Sequence, residues 1–244
     1  MKSQHIFKDQ SITDHTGARS GIPFAEPLQT LADRLVRFTS QALGQDLDER
    51  LAQAVSNAQK NGIDPFGVNL ETLRLSATLV AYFHRIYFRT EVHGVENVPA
   101  GKVLLVSNHS GQLPIDAVLI AASLIFDAEP PRLVRNMVDR FVAKLPFVSI
   151  WFSRMGQVLG APENAKRLLE RGEALVAFPE GVAGIAKPFN KRYRLEPFGA
   201  GFMRLAQETD TPIVPVAVIG AEEQYISLAD FKALARLLGW PALP

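Results

Sequence analysis

Apolar residues along the first third of the chain recur at helical spacing. From about residue 90 onward, short unbroken apolar runs alternate with such helical patterns. Leu28, Leu31, Leu35, Phe38 and Ala42 follow one another in steps of three and four, which predicts a helix from Pro27 to Leu43, closed by Gly44. Leu47, Leu51, Ala54, Val55 and Ala58 predict a second helix from Leu47 to Gln59, stopped by Gly62. Asp64-Pro65-Phe66-Gly67 reads as a turn. In a third helix, Leu70 to Phe88, the apolar residues Leu73, Leu75, Leu79, Val80, Tyr82, Phe83, Ile86, Tyr87 and Phe88 cover much of the circumference, interspersed with Arg74, Arg85 and Arg89. Two readings fit that mixture: a helix lying at a lipid interface with arginine heads reaching phosphates, or one packed between the amino-terminal pair and the main domain.

Beyond residue 90 the predicted strands are Glu91–His93, Val103–Ser107, Arg132–Arg135, Gln157–Leu159, Ala174–Phe178 and Ile213–Ile219. The predicted helices between them are Pro114–Phe126, Asp139–Lys144, Phe147–Met155, Pro162–Arg171 and Gly199–Glu208. Strands separated by helices imply an α/β fold, a mostly parallel mixed sheet flanked by helices. The expected organisation is a polar, disordered tail over 1–22, a helical amino-terminal appendage over 23–69, and the main domain over 70–244.

Composition narrows the function classes. The chain is 47% hydrophobic and 21% charged, so it can bury a sizeable core. A net charge of +1 argues against whole-molecule capture of nucleic acid, and no nucleic-acid module is recognisable. With no cysteine, disulfides, thiolate metal sites and a cysteine nucleophile are excluded, and no metal site is expected. The amino terminus lacks the apolar core of a signal peptide, and no stretch approaches the roughly 18 uncharged apolar residues of a spanning helix. A cytoplasmic protein, peripheral to a membrane, is the expectation.

Four stretches carry candidate chemistry. In Val106-Ser107-Asn108-His109-Ser110-Gly111-Gln112-Leu113-Pro114-Ile115-Asp116, a strand runs into a polar turn and then a helix, the place where α/β proteins present reactive groups. Histidine titrates near neutrality and is the usual general base, and a carboxylate can fix its tautomer, so His109 and Asp116 form a candidate dyad. The plain alternative is a surface histidine and an acid favoured in a first helical turn. Ala177-Phe178-Pro179-Glu180-Gly181 ends a strand on the same side of a parallel sheet. Glu180 there can bind a hydroxyl, and backbone N–H groups near Gly181 can stabilise an oxyanion; a tight strand-exit turn is the alternative. Lys187, Lys191, Arg192 and Arg194 lie within eight residues without an acid among them, which suits a phosphate of a lipid headgroup, a coenzyme A moiety or an anionic membrane, or else a solvated basic loop. Pro212-Ile213-Val214-Pro215, with two prolines in a strand, reads as structural, suited to an edge or a strand start.

Together these stretches resemble the glycerophospholipid acyltransferase superfamily, in a bacterial branch similar to monoacylglycerol-acyltransferase-like proteins. The resemblance covers roughly residues 60–225. It rests on Asp64-Pro65-Phe66-Gly67, Asn108-His109-Ser110-Gly111, Leu113-Pro114-Ile115-Asp116, Phe178-Pro179-Glu180-Gly181 and Pro212-Ile213-Val214-Pro215, in that order. It implies transfer of a fatty acyl group from acyl-coenzyme A or acyl carrier protein to a hydroxyl of a glycerolipid or lysophospholipid, with no cofactor. His109 would be the base, Asp116 its partner, and Glu180 and Gly181 part of the acceptor site, with Asn108, Ser110, Gly111 and the four cations lining the substrate. The resemblance also implies a membrane surface, at its cytoplasmic face, as partner.

The chain departs from the superfamily pattern in three ways. Six residues separate His109 from Asp116 where the superfamily has four, so the intervening loop must bulge. The arginine that usually contacts an acceptor phosphate is missing from Gly156-Gln157-Val158-Leu159-Gly160-Ala161, leaving Arg154, Lys187 or Arg192 to replace it, or an uncharged acceptor. Family members continue well past Pro-Ile-Val-Pro, whereas 25 residues follow Ile219, which reads as a shortened carboxyl end. Water in place of the lipid would make the same dyad a hydrolase. Without turnover, helix 70–88 and loop 187–194 would form a lipid-binding module.

Overall fold

The structure, a computed structural model, describes residues 46–58, 64–111, 113–224 and 226–227, with isolated positions at 34, 37, 39–41 and 235. The expected tail over 1–22 and most of the helix expected over Pro27–Leu43 lie outside the described residues. Five parallel strands form one sheet: β1 Val103–Ser107, β2 Val134–Val138, β3 Val158–Leu159, β4 Ala174–Ala177 and β5 Ile213–Val216, in the order β3-β2-β4-β1-β5. The helices are α1 Leu47–Ala58, α2 Leu70–Tyr82, α3 Ile115–Phe126, α4 Val148–Arg154, α5 Pro162–Glu170, the single turn α6 Val182–Ile185, and α7 Gly201–Glu208.

Strand composition explains the two-sided burial. All of Val103 to Ser107 is buried, as expected of a parallel strand covered on both faces. Leu105, Val103 and Val176 face α3 through Ile120 and Leu124. Leu104, Val106 and Leu175 face α5 and α7 through Leu168, Leu169 and Ala206. A third cluster joins α1 and α2 to the outer side of α3, with Leu47, Leu51, Leu73, Ala77, Ala122 and Phe126 in contact. Asn69 starts α2 by accepting the Thr72 N–H at 2.9 Å. The helix then continues as a π-turn, Phe83–Tyr87. One side of α2 is therefore core, while Leu75, Leu79, Tyr82 and Ile86, spaced four, three and four apart, stay exposed on the other.

The connections place the site. After β1 the chain passes over β4 to reach β2, and after β4 it passes over β1 to reach β5. The exits of the adjacent strands β1 and β4 thus lead in opposite directions, to helices on opposite faces. A crevice at the carboxyl ends follows from this divergence, the usual binding position in open α/β sheets.

Several expected boundaries are corrected. Glu91–His93 forms no strand. It keeps the alternating exposure of one but pairs with no strand among the described residues, and the Glu91 and His93 side chains approach each other to 3.7 Å. Strand β2 runs over 134–138 rather than 132–135, because Arg132 turns to cap the Pro99 and Gly101 carbonyls while Asn136 continues inward to the Ala117 carbonyl at 3.3 Å. Strand β5 stops at Val216. The helix expected over Asp139–Lys144 is one 3₁₀ turn, Val142–Lys144, and α6 is an element the periodicity did not indicate.

Candidate active site

Strand β1 ends at Ser107, and the Asn108 side chain takes over its pairing with the segment after β5. Its Nδ2 donates to the Val218 carbonyl and its Oδ1 accepts the Val218 N–H, both at 2.8 Å. His109 follows at the mouth of the crevice, 8% exposed. Asp116 lies in the first turn of α3, fully buried. His109 Nδ1 and Asp116 Oδ2 are 2.7 Å apart. Asp116 Oδ2 also accepts the Ser110 N–H at 3.0 Å, and its Oδ1 accepts the Ala117 N–H at 2.8 Å. A carboxylate that only accepts requires the proton on His109 Nδ1. His109 Nε2 is left without a hydrogen bond to the described residues and points away from the pair, available to a substrate.

The long spacing between the two residues is taken up locally. Leu113 N–H donates to the Gly111 carbonyl and Ile115 N–H to the Leu113 carbonyl, each at 2.7 Å, so the loop is pinched outward and Leu113 is left exposed. Gly111 sits at φ +92°, and a Cβ there would stand 2.5 Å from the Ala221 carbonyl oxygen. Only glycine fits both the conformation and the close approach.

The β4 exit supplies the other wall. The Phe178 ring stacks on the His109 imidazole, with centroids 4.0 Å apart and planes 22° apart. Glu180 is buried beneath them. Its Oε1 accepts the His109 N–H at 2.9 Å, and its Oε2 accepts the Glu196 N–H at 2.7 Å and the Lys187 ammonium at 3.2 Å. Lys187 also donates to the Arg194 carbonyl at 2.7 Å. Glu180 and Lys187, expected to line the substrate, face each other inside the fold, because a buried charge is held where it is paired. Gly181 donates its own N–H to the Phe178 carbonyl at 2.9 Å, which removes that group as an oxyanion donor. Lys191, Arg192 and Arg194 are exposed, with the Arg192 guanidinium lying 4.6 Å over the Phe189 ring. Ser110 is fully buried and its hydroxyl has no partner among the described residues.

Two contributors lay outside the sequence reading. A Cβ on Gly184 would stand 2.7 Å from the His109 carbonyl oxygen and 2.8 Å from the Glu180 Cβ, so only a residue without one lets α6 press against the histidine. Its position one helical turn after Glu180 was the available signal. Asn136, on β2, ties its amide to the Ala117 carbonyl beside Asp116.

Beside the site runs a groove of about 630 Å³ between α3 and β5, with Leu119, Leu124, Val92, Val214 and Val216 on its walls. Gln224 lies at one end of it, close to Gly111. Among the described residues no helix is long and apolar enough to cross a membrane.

Comparison with known proteins gives the chain its relatives. Residues 89–219 match the model of the acyltransferase family. An uncharacterized protein of Mycobacterium tuberculosis is 40% identical over 168 residues, 68% of this chain and 47% of that protein. One of Mycobacterium leprae is 40% identical over 165 residues, 67% and 45% respectively. The mouse protein named DGAT1/2-independent enzyme synthesizing storage lipids is 28% identical over 171 residues, 69% of this chain and 51% of its own. The chain spans about half the length of the curated relatives it matches.

Proposed function

Because this chain belongs to the acyltransferase family, we propose that it transfers a fatty acyl group from a thioester donor, acyl-coenzyme A or acyl carrier protein, to a hydroxyl of a glycerolipid or lysophospholipid. The observation that carries this reading is the buried 2.7 Å contact between His109 Nδ1 and Asp116, which leaves Nε2 without a hydrogen bond to the described residues. Nε2 takes the proton of the acceptor hydroxyl as its oxygen attacks the thioester carbonyl. The tetrahedral intermediate collapses with cleavage of the C–S bond, and Nε2–H returns the proton to the departing thiolate. Asp116 holds the tautomer and stabilises the imidazolium between the two transfers. The reaction is direct, with an ester and a free thiol as products.

The surroundings favour lipid substrates. The apolar wall of the groove, formed by Leu119, Leu124, Val214 and Val216, suits an alkyl chain. Exposed Lys191, Arg192 and Arg194 suit donor or headgroup phosphates. The exposed stripe of α2 suits the surface of a bilayer, at its cytoplasmic face. The name of the mouse relative, an enzyme synthesizing storage lipids, supports a neutral glycerolipid as acceptor.

The test is purified protein with labelled acyl-coenzyme A, with and without a total lipid extract, followed by mass spectrometry. Labelled acyl-lipid formed only with the extract is the expected result. Free fatty acid at the same rate in both arms would assign a hydrolase, and no consumption of the thioester, alongside vesicle binding unchanged in His109→Ala, a lipid-binding module.

A further inference from the structure

The four cations of loop 187–194 divide into two sets, and the division points to a role for Glu180. Lys191, Arg192 and Arg194 are exposed, whereas Lys187 is buried against a fully buried carboxylate. Three of the four acceptor positions of that carboxylate are filled by the His109 N–H, the Glu196 N–H and the Lys187 ammonium. A group so enclosed has no face to offer an acceptor hydroxyl. What it does offer is a mechanical link between two loops. Its Oε1 fixes the backbone of His109 at the exit of β1. Its Oε2, with Lys187, fixes the backbone of the basic loop at Glu196 and Arg194, and Lys187 lies 3.9 Å from Glu222 in the turn after β5.

We propose that Glu180 is a positioning residue that, through Lys187, couples the exposed basic loop to the backbone of His109, and that it does not bind the acceptor. The inference rests on His109 being the base. Asp116 sets the rotation of the imidazole, Phe178 its plane, and Gly184 the space behind it. Glu180 sets the origin of the side chain, the His109 N–H, which would otherwise be a buried donor without an acceptor. A shift of about 1 Å in a reacting group lowers turnover by about 10²-fold. Loss of this link therefore acts on turnover, whereas loss of the exposed cations acts on binding.

The experiment compares wild type, Glu180→Gln, the double variant Arg192→Ala/Arg194→Ala, and His109→Ala. Each is assayed with oleoyl-coenzyme A and monooleoylglycerol in mixed micelles, and each is labelled in its histidine rings for ¹H–¹³C spectra. The chain has five histidines, and the signal absent from His109→Ala identifies His109. Glutamine keeps the size of Glu180 but turns an NH₂ toward either the His109 N–H or the Glu196 N–H. Glu180→Gln is expected to lower kcat at least tenfold, with both KM values within twofold, and to move the His109 ring signal while the other histidine signals stay in place. The loop double variant is expected to raise KM for oleoyl-coenzyme A with the His109 signal unmoved. A rise in acceptor KM at unchanged kcat, or a His109 signal that superposes on wild type, overturns the proposal. If Glu180→Gln does not fold, Glu180→Gln combined with Lys187→Met, which leaves no unpaired buried cation, gives the same comparison. Full activity in His109→Ala refutes the base assignment alone, because the spectra still decide whether Glu180 governs the position of His109.

Discussion

Replacing Asp116 with asparagine isolates the charge of the dyad from its shape. The carboxylate has three donors pointing at it: His109 Nδ1–H and Ser110 N–H on one oxygen, Ala117 N–H on the other. Asparagine supplies one oxygen. Placed toward His109 and Ser110 it keeps two contacts and sets its NH₂ against the Ala117 N–H. Placed the other way it keeps one contact and forces the His109 proton onto Nε2, where the base must be free. The first arrangement dominates, so the geometry survives and the negative charge beside the imidazolium is lost. General acid–base catalysis is worth about 10²–10⁴-fold, and it depends here on the carboxylate that stabilises the imidazolium. A fall in kcat of about 10²–10⁴-fold is expected, about 2.7–5.4 kcal/mol of transition-state stabilisation. The unfolding midpoint should drop only by the equivalent of about one hydrogen bond, about 1 kcal/mol. Initial rates with labelled acyl-coenzyme A and saturating acceptor, beside a urea unfolding curve, measure both. Combined with His109→Ala, the double variant should be no slower than the slower single one, since two residues acting as a unit are not additive. A kcat within threefold of wild type in a folded Asp116→Asn protein would refute the dyad.

Three further outcomes are expected. Arg135 is fully buried between Asp64 and Glu173, at 2.9 and 2.6 Å, so Arg135→Met leaves the buried Asp64 carboxylate without its cation and Glu173 with Arg171 alone, at 3.2 Å, and should destabilise by about 3–5 kcal/mol in urea unfolding; an unchanged midpoint would contradict the network. His84 is fully buried, and burial lowers its pKa to about 4, the favourable charge of Asp127 only partly offsetting this and Arg85 adding to it. The unfolded state then binds the proton first, so stability is complete above about pH 6.5 and falls as pH drops toward 4, by roughly 3 kcal/mol, and His84→Gln should flatten that slope in unfolding curves collected across the window. Leu79 on the exposed side of α2 and Ile86 in the π-turn that continues it should each contribute about 1.5 kcal/mol to membrane contact, so Leu79→Ser with Ile86→Ser should weaken co-sedimentation with anionic vesicles at least about tenfold, and unchanged sedimentation would remove that surface from the account.

How much of this was legible in the sequence depended on distance along the chain. The His109–Asp116 contact was legible because the two residues belong to one strand-turn-helix unit, and the six-residue gap between them called for a bulge. The parallel sheet was legible because fully buried strands are continuous apolar runs. Arg135 was not, since a charged residue in a strand marks an edge unless its partners are known, and Asp64 and Glu173 lie far away in the sequence. Nor could the cluster 187–194 show which of its cations is buried, because that depends on Glu180 folding beneath His109. Glu91–His93 has the alternation of a strand, but pairing is decided by neighbours, and β1 already has β4 and β5 at its sides.

The Asn108 bridge to Val218 spans 110 residues and the His109 contact to Glu180 spans 71. Contacts of such separation close the largest loops in the chain and form after the local ones. His109 and Asp116 leave the ribosome together, yet the segment that anchors the residue before the histidine follows only a hundred residues later. The His109 geometry is therefore expected to form late in folding, once β4 and β5 have joined β1. Turnover in a refolding experiment should accordingly lag behind the recovery of helical signal, and the appearance of activity would time the completion of the sheet.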